Sequence, residues 1–158
     1  MKKAFIAYFS ASGVTKALSD RLANALGAPL YEIAPEIPYS NADLDWMNPK
    51  SRSSLEMKDR SSRPAISGPL PDLSGFDVVF VGFPVWWYRE PSIIDTFLES
   101  ADFSGKTLVP FATSGGSGLG KTADNFRMLA PGANVAEGKR FKAKASEEEL
   151  RAWASEWL

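Results

Sequence analysis

The chain has 158 residues, enough for one domain with a full-sized core. With 44% hydrophobic and 23% charged residues it has an ordinary globular composition, and a net charge of −1 gives no bulk attraction for nucleic acid or an anionic membrane surface. It contains neither Cys nor His, which excludes disulfides, thiolate nucleophiles, Cys-ligated metals and the commonest general base, so any redox chemistry must be carried by a cofactor.

Met1-Lys2-Lys3 followed by apolar residues has the outline of a signal peptide. The apolar run before Ser10 is only about six residues, shorter than the ~7–15 of a signal core. Lys3–Phe9 therefore reads as a first strand. No stretch approaches the ~20 apolar residues of a membrane span, and the expected location is the cytoplasm.

Ser10-Ala11-Ser12-Gly13-Val14-Thr15 follows this strand and opens a helix with apolar residues at Val14, Leu18, Leu22 and Leu26. Hydroxyls and backbone N–H groups converging on a helix N-terminus suit a phosphate, although a Ser-capped helix would read the same way. Gly27 suits the helix end. Pro29–Ala34 alternates apolar and polar residues and is expected to be a short strand near a sheet edge. Pro35–Gly75 is loop-rich, with a short helix expected over about Pro49–Lys58. Its basic residues Lys50, Arg52, Lys58, Arg60 and Arg63, interleaved with Glu56 and Asp59, read as a solvated face.

Phe76–Phe83 is nearly continuous apolar sequence, as in a strand covered on both faces. It runs into Pro84-Val85-Trp86-Trp87-Tyr88-Arg89, and Pro91 opens a helix bearing Ile93, Ile94, Phe97, Leu98 and Ala101. Lys106–Ala112 is the next strand, with Thr113-Ser114-Gly115-Gly116-Ser117-Gly118 as its exit loop. Leu119, Ala123, Phe126 and Leu129 form a helical stripe stopped by Pro131-Gly132. A last strand, Asn134–Ala136 and Lys139–Phe141, is expected to break at Gly138. Ser146–Glu149 is a capping box before Leu150, Trp153, Ala154, Trp157 and Leu158.

Strands alternating with helices predict a single α/β domain over residues 1–158, a doubly wound, five-stranded parallel sheet with helices on both faces. Ligands of such sheets bind beyond the carboxyl ends of the strands. Three strand ends carry unusual loops, and each suits one part of a ligand. The first offers donors for a phosphate. The second offers aromatics for a flat ring. The third has glycines that let backbone N–H groups come close.

These loops carry a resemblance. Ser10-Ala-Ser-Gly-Val-Thr15, Gly82-Phe-Pro-Val-Trp-Trp-Tyr88 and Phe111-Ala-Thr-Ser-Gly-Gly-Ser-Gly118 resemble the three flavin loops of the flavodoxin-like family, in its short-chain flavodoxin and NAD(P)H-dependent FMN reductase group. Asp45-Trp46 to Pro64 also resembles this group. The resemblance spans the chain and implies noncovalent FMN, with Ser10, Ser12, Thr15 and the N–H groups of Ala11, Ser12, Gly13, Val14 and Thr15 on the phosphate. It implies Pro84, Val85, Trp86, Trp87 and Tyr88 along the isoalloxazine, without choosing which aromatic touches it. It implies backbone donors from Thr113, Ser114, Gly115, Gly116, Ser117 and Gly118 at the N1/O2 side. No catalytic side chain and no metal are expected.

The third loop lacks the aromatic that electron-carrier flavodoxins commonly place on one flavin face. That departure favours an oxidoreductase using NAD(P)H and a small-molecule electron acceptor such as a quinone over an electron-transfer carrier. Related reductases commonly form a homodimer; neither nucleic acid nor a membrane is expected as a partner. Two other readings compete. Gly115-Gly-Ser-Gly-Leu-Gly120-Lys121-Thr122 matches the Walker A pattern of P-loop proteins, but neither Lys3–Phe9 nor Phe76–Phe83 ends in the Asp that would hold Mg²⁺. Alternatively, Trp86, Trp87 and Tyr88 could anchor a partner on a ligand-free scaffold.

Overall fold

The computed structural model describes residues 2–114 and 116–158. Its centre is three parallel strands, β1 (Ala4–Tyr8), β3 (Val78–Pro84) and β4 (Thr107–Thr113), with β2 (Leu30–Glu32) on the outer side of β1. Beyond β4 the last sheet position is filled by two short strands, β5 (Asn134–Val135) and β6 (Lys139–Phe141), giving the order β2-β1-β3-β4-β5. All these pairings are parallel, as the alternation of elements predicts.

The break between β5 and β6 follows from two residues. Pro110 lies in the middle of β4 and has no N–H to donate. Lys106 and Leu108, of the same parity, present their carbonyls to Asn134 and Ala136, so Pro110 faces this edge. Opposite it the edge strand carries one extra residue, since Leu108 pairs with Val135 and Phe111 with Lys139. Gly138 absorbs the bulge at φ 79°, and a Cβ there would lie 2.2 Å from the Pro110 carbonyl oxygen.

Helices cover both faces because the central strands are buried on both. On one side α1 (Val14–Leu26) and α5 (Glu147–Ala154) place Leu18, Leu22, Leu150 and Ala154 against Ile6, Val78, Phe80, Val109 and Phe111. On the other, α3 (Ser92–Glu99) and α4 (Thr122–Leu129) place Ile93, Ile94, Phe97 and Phe126 against Phe5, Ala7, Val79 and Val81. The serine half of the expected capping box is present: Ser146 Oγ accepts from the Glu149 N–H at 3.1 Å.

Several expectations shift. Val14 is exposed, and the buried stripe of α1 is Thr15, Leu18, Ser19 and Leu22, because Thr15 turns inward to meet a hydroxyl described below. The helix in the long excursion, α2 (Arg52–Lys58), starts after Ser51 rather than at Pro49, since the Ser51 hydroxyl accepts from the Ser54 N–H. Pro84 and Thr113 close β3 and β4 and pair with each other in register. The basic residues of the excursion are only partly a solvated face. Lys50 and Lys58 are exposed, but the Arg52 guanidinium stacks 3.8 Å from the Tyr39 ring centroid and pairs with Glu56 at 2.9 Å.

Candidate functional site

The loop after β1 folds around one hydroxyl. Ser10 Oγ accepts the N–H of Gly13 at 3.0 Å and of Lys16 at 3.1 Å. Two accepted bonds leave its own proton free to point outward. Gly13 caps α1 in the left-handed conformation, φ 94°. The N–H groups of Ala11, Ser12, Val14 and Thr15 take no acceptor among the described residues. The first turn of α1 holds no acidic side chain, and Lys16 is engaged by Asp20 at 3.0 Å. Four free donors, a free hydroxyl proton and the positive end of a 13-residue helix make a seat for an anion.

Thr15 also has a partner within the protein. Its hydroxyl is buried and bonded to the Thr113 hydroxyl at 2.8 Å. This joins the first loop to the end of β4. With Thr113 as donor, the Thr15 proton remains available to a ligand.

The second loop is a tight turn. Trp86 and Arg89 exchange both backbone hydrogen bonds, at 3.0 and 3.2 Å, and Trp87 and Tyr88 between them have φ 47° and 63°. This is the backbone of a type I′ turn, normally made by Asn and Gly; left-handed aromatics there cost about 1–3 kcal/mol each. The surroundings hold it. Trp86 packs edge-on against Phe9 and Tyr39, with centroids 5.6 and 5.5 Å away. Trp86 is therefore partly buried, while Trp87 and Tyr88 are exposed.

Arg89 anchors the turn from beneath. It is buried, donates to the Met57 and Glu90 carbonyls at 3.2 Å each, and lies 3.4 Å from Asp95 and 3.6 Å from Glu90. Burial, and then the adjacent Asp95, push the Glu90 carboxyl up to about 9; donation by Asn125 works against this. Asp95 Oδ1 is buried with no hydrogen-bond partner among the described residues. A proton on Glu90 would supply a donor here and leave one carboxylate beside one buried guanidinium.

In the third loop the Ser114 hydroxyl donates to the Ser117 carbonyl and accepts from the Gly116 N–H at 3.3 Å, so the Gly116 N–H is turned into the loop. Gly115, expected among the ring-binding residues and in the Walker A match, lies outside the described residues. The rest of that match has a packing explanation. Gly120 sits at φ 55°, where a Cβ would come 2.0 Å from the Tyr88 carbonyl oxygen, and the Lys121 N–H donates to that same oxygen at 3.2 Å. The Thr122 hydroxyl is buried and donates to the Leu119 carbonyl at 2.7 Å, so it is not presented as a metal ligand. Gly120 and Lys121 fasten the third loop to the aromatic turn.

A cavity of about 610 Å³ opens at these strand ends, lined by Val85, Trp86, Trp87, Tyr88 and Ser117 together with Leu44, Trp46 and Ser53. It has the size and aromatic walls of a small-molecule site. The last three residues come from the excursion and were missed as site residues. The available signal was Trp46 itself, a large aromatic in a loop with no helical or strand period to bury it. Among the described residues, no group of three or more acidic side chains could hold a metal, and no helix is long and apolar enough to cross a membrane.

The flavodoxin family model matches residues 3–157. Among solved structures, a candidate flavoprotein from Bacteroides eggerthii is 44% identical with a TM-score of 0.90, covering 99% of this chain and 98% of that one. Another from Bacteroides uniformis is 43% identical with a TM-score of 0.91, covering 98% of each chain. A flavoprotein from Lactobacillus acidophilus, solved in complex with FMN, shares the fold at 22% identity and a TM-score of 0.71, over 99% of each chain. No curated protein matches. The loops, the strand order and the extent of the match agree: this chain belongs to the flavodoxin family.

Proposed function

We propose that this protein binds FMN noncovalently and uses it to move electrons from NAD(P)H to a small-molecule acceptor such as a quinone. The observation that carries the FMN reading is the pairing of an anion seat at Ser10–Thr15 with an aromatic cavity at the neighbouring strand ends. Bound FMN would supply a ring that accepts a hydride and passes electrons on. The chain's own residues bind and orient. The Ser10 hydroxyl and the N–H groups of Ala11, Ser12, Val14 and Thr15 hold the phosphate at the helix end. Val85 to Tyr88 line the ring. Backbone N–H groups of the third loop, such as those of Ser117 and Gly118, would hold the ring's pyrimidine side and favour negative charge there. The volume of the cavity and the absence of an aromatic from the third loop support a reductase, because they leave room for a second molecule beside the ring.

The test is an absorbance spectrum of purified protein with and without added FMN, followed by anaerobic addition of NADH or NADPH. Uptake of FMN and rapid bleaching by one nucleotide is the expected result. Uptake without bleaching rejects pyridine-nucleotide oxidation and favours the carrier reading. Absence of uptake rejects the site assignment.

A further inference from the structure

We propose that Trp46, from the β2–β3 excursion, is a positioning residue for the flavin ring, forming one wall of its site. The inference rests on the FMN reading above and adds a residue from outside the three flavin loops.

Trp46 lines the same cavity as Trp86, Trp87 and Tyr88, yet it is 69% exposed. An exposed indole is expensive in unburied apolar surface and is well suited to a flat partner. Its backbone is not loose. Ser40 and Asp43 exchange reciprocal side-chain-to-backbone bonds at 2.9 and 3.1 Å. The Leu44, Asp45, Asn48 and Ser51 N–H groups each bond a carbonyl three or four residues back, and Asp45 and Asn48 side chains cap the turns at Met47 and Lys50. The Ser53 N–H reaches across to the Asp43 carbonyl at 3.0 Å.

The self-bonded unit is also fixed to the rest of the site. Tyr39 packs edge-on against both Phe9 and Trp86, and Arg52 donates to the Ile37 carbonyl at 2.6 Å. A rigid frame therefore holds an uncovered indole at the rim of an aromatic cavity, an arrangement that lowers the ordering cost of stacking a ring. Trp86 already packs at near right angles against Phe9 and Tyr39, whereas Trp46, Trp87 and Tyr88 are exposed.

The experiment compares wild type, Trp46→Ala and Trp46→Phe by flavin fluorescence titration, with FMN and with riboflavin, which lacks the phosphate. Stacking predicts that Trp46→Ala weakens both ligands by the same factor, on the order of tenfold, and relieves the quenching of bound flavin. Trp46→Phe restores most of the affinity. Because Trp46 is exposed, thermal melts of the apo-proteins are expected to coincide, which separates this role from a structural one. FMN uptake by wild type with unchanged affinity and quenching in Trp46→Ala overturns this inference alone. A loss confined to FMN, with riboflavin unaffected, also overturns it. Absence of uptake by wild type overturns both this inference and the FMN reading.

Discussion

The hydroxyls of Thr15 and Thr113 meet at 2.8 Å in the interior, tying the first turn of α1 to the last residue of β4. Replacing either with Val keeps the shape and strands the other hydroxyl without a partner, at a cost of about 1–3 kcal/mol. Thr113→Val is expected to lower apo-protein stability by that amount in urea denaturation. The double variant Thr15→Val/Thr113→Val is expected to lose less than the sum of the single changes, since neither hydroxyl is then orphaned. Thr113→Val is also expected to weaken FMN binding from beyond the phosphate loop, because Thr15 loses its orienting partner.

The contact between Gly120 and the Tyr88 carbonyl separates two explanations of one motif. Gly120→Ala places a Cβ 2.0 Å from a backbone oxygen in a left-handed conformation, so the turn or the loop must shift. Destabilisation of about 2 kcal/mol or more is expected, with loss of flavin affinity. Lys121→Ala removes only an exposed side chain and is expected to change stability by less than ~0.5 kcal/mol and to leave FMN uptake intact. Thermal melts and flavin titration of the pair decide this. A P-loop protein would show the converse, with Lys121→Ala abolishing nucleotide hydrolysis.

Strain in the aromatic turn predicts an exchange of stability for function. Tyr88 is exposed and left-handed, φ 63°, so its side chain contributes little burial to offset its backbone cost. Asn tolerates that conformation better. Tyr88→Asn is expected to raise the melting temperature of the apo-protein by a few degrees, corresponding to about 1 kcal/mol, while reducing flavin affinity. An apo-protein that melts lower would show that the Tyr88 ring, not the turn, is what the site protects.

The parts of this protein that were legible in its sequence are those where local chemistry and burial agree. Val78–Phe83 is apolar throughout because β3 is covered on both faces, and Ser146 caps the helix that opens at Glu147. The split of the edge strand could be placed at Gly138, but its cause, Pro110 facing that edge, needs the sheet's register. In the first loop the seat was legible and the division of labour was not, because the inward turn of Thr15 depends on a hydroxyl 98 positions away. The excursion was least legible. Its order comes from Asx-type turns and from Tyr39 packing on Trp86, and neither leaves a period in the sequence. The Walker A match shows the opposite hazard, a local pattern whose glycine answers to a distant carbonyl.

The proton between Glu90 and Asp95 gives the final prediction. Glu90 is buried, Asn125 donates to its two carboxyl oxygens at 3.1 and 3.3 Å, and the Asp95 carboxyl is its neighbour. The other charges facing the pair are Arg89, which is buried, and Arg63, 3.9 Å from Asp95 at the surface. Its folded-state value is about 9 against an ordinary 4.5, so between these values the folded state holds a proton that the unfolded state has released. Stability then falls as pH rises through that window, and the full contribution is present only below the unfolded value. Glu90→Gln keeps a donor toward Asp95 and cannot titrate. Its stability relative to wild type is therefore expected to increase steadily from pH 5 to pH 8.5. Urea denaturation across that range measures the difference. An infrared carboxylic acid band present in wild type at pH 7 and absent in Glu90→Gln would locate the proton directly. A pH-independent difference, with no such band, would mean that Glu90 is ionised and held as a carboxylate by Arg89 and Asn125.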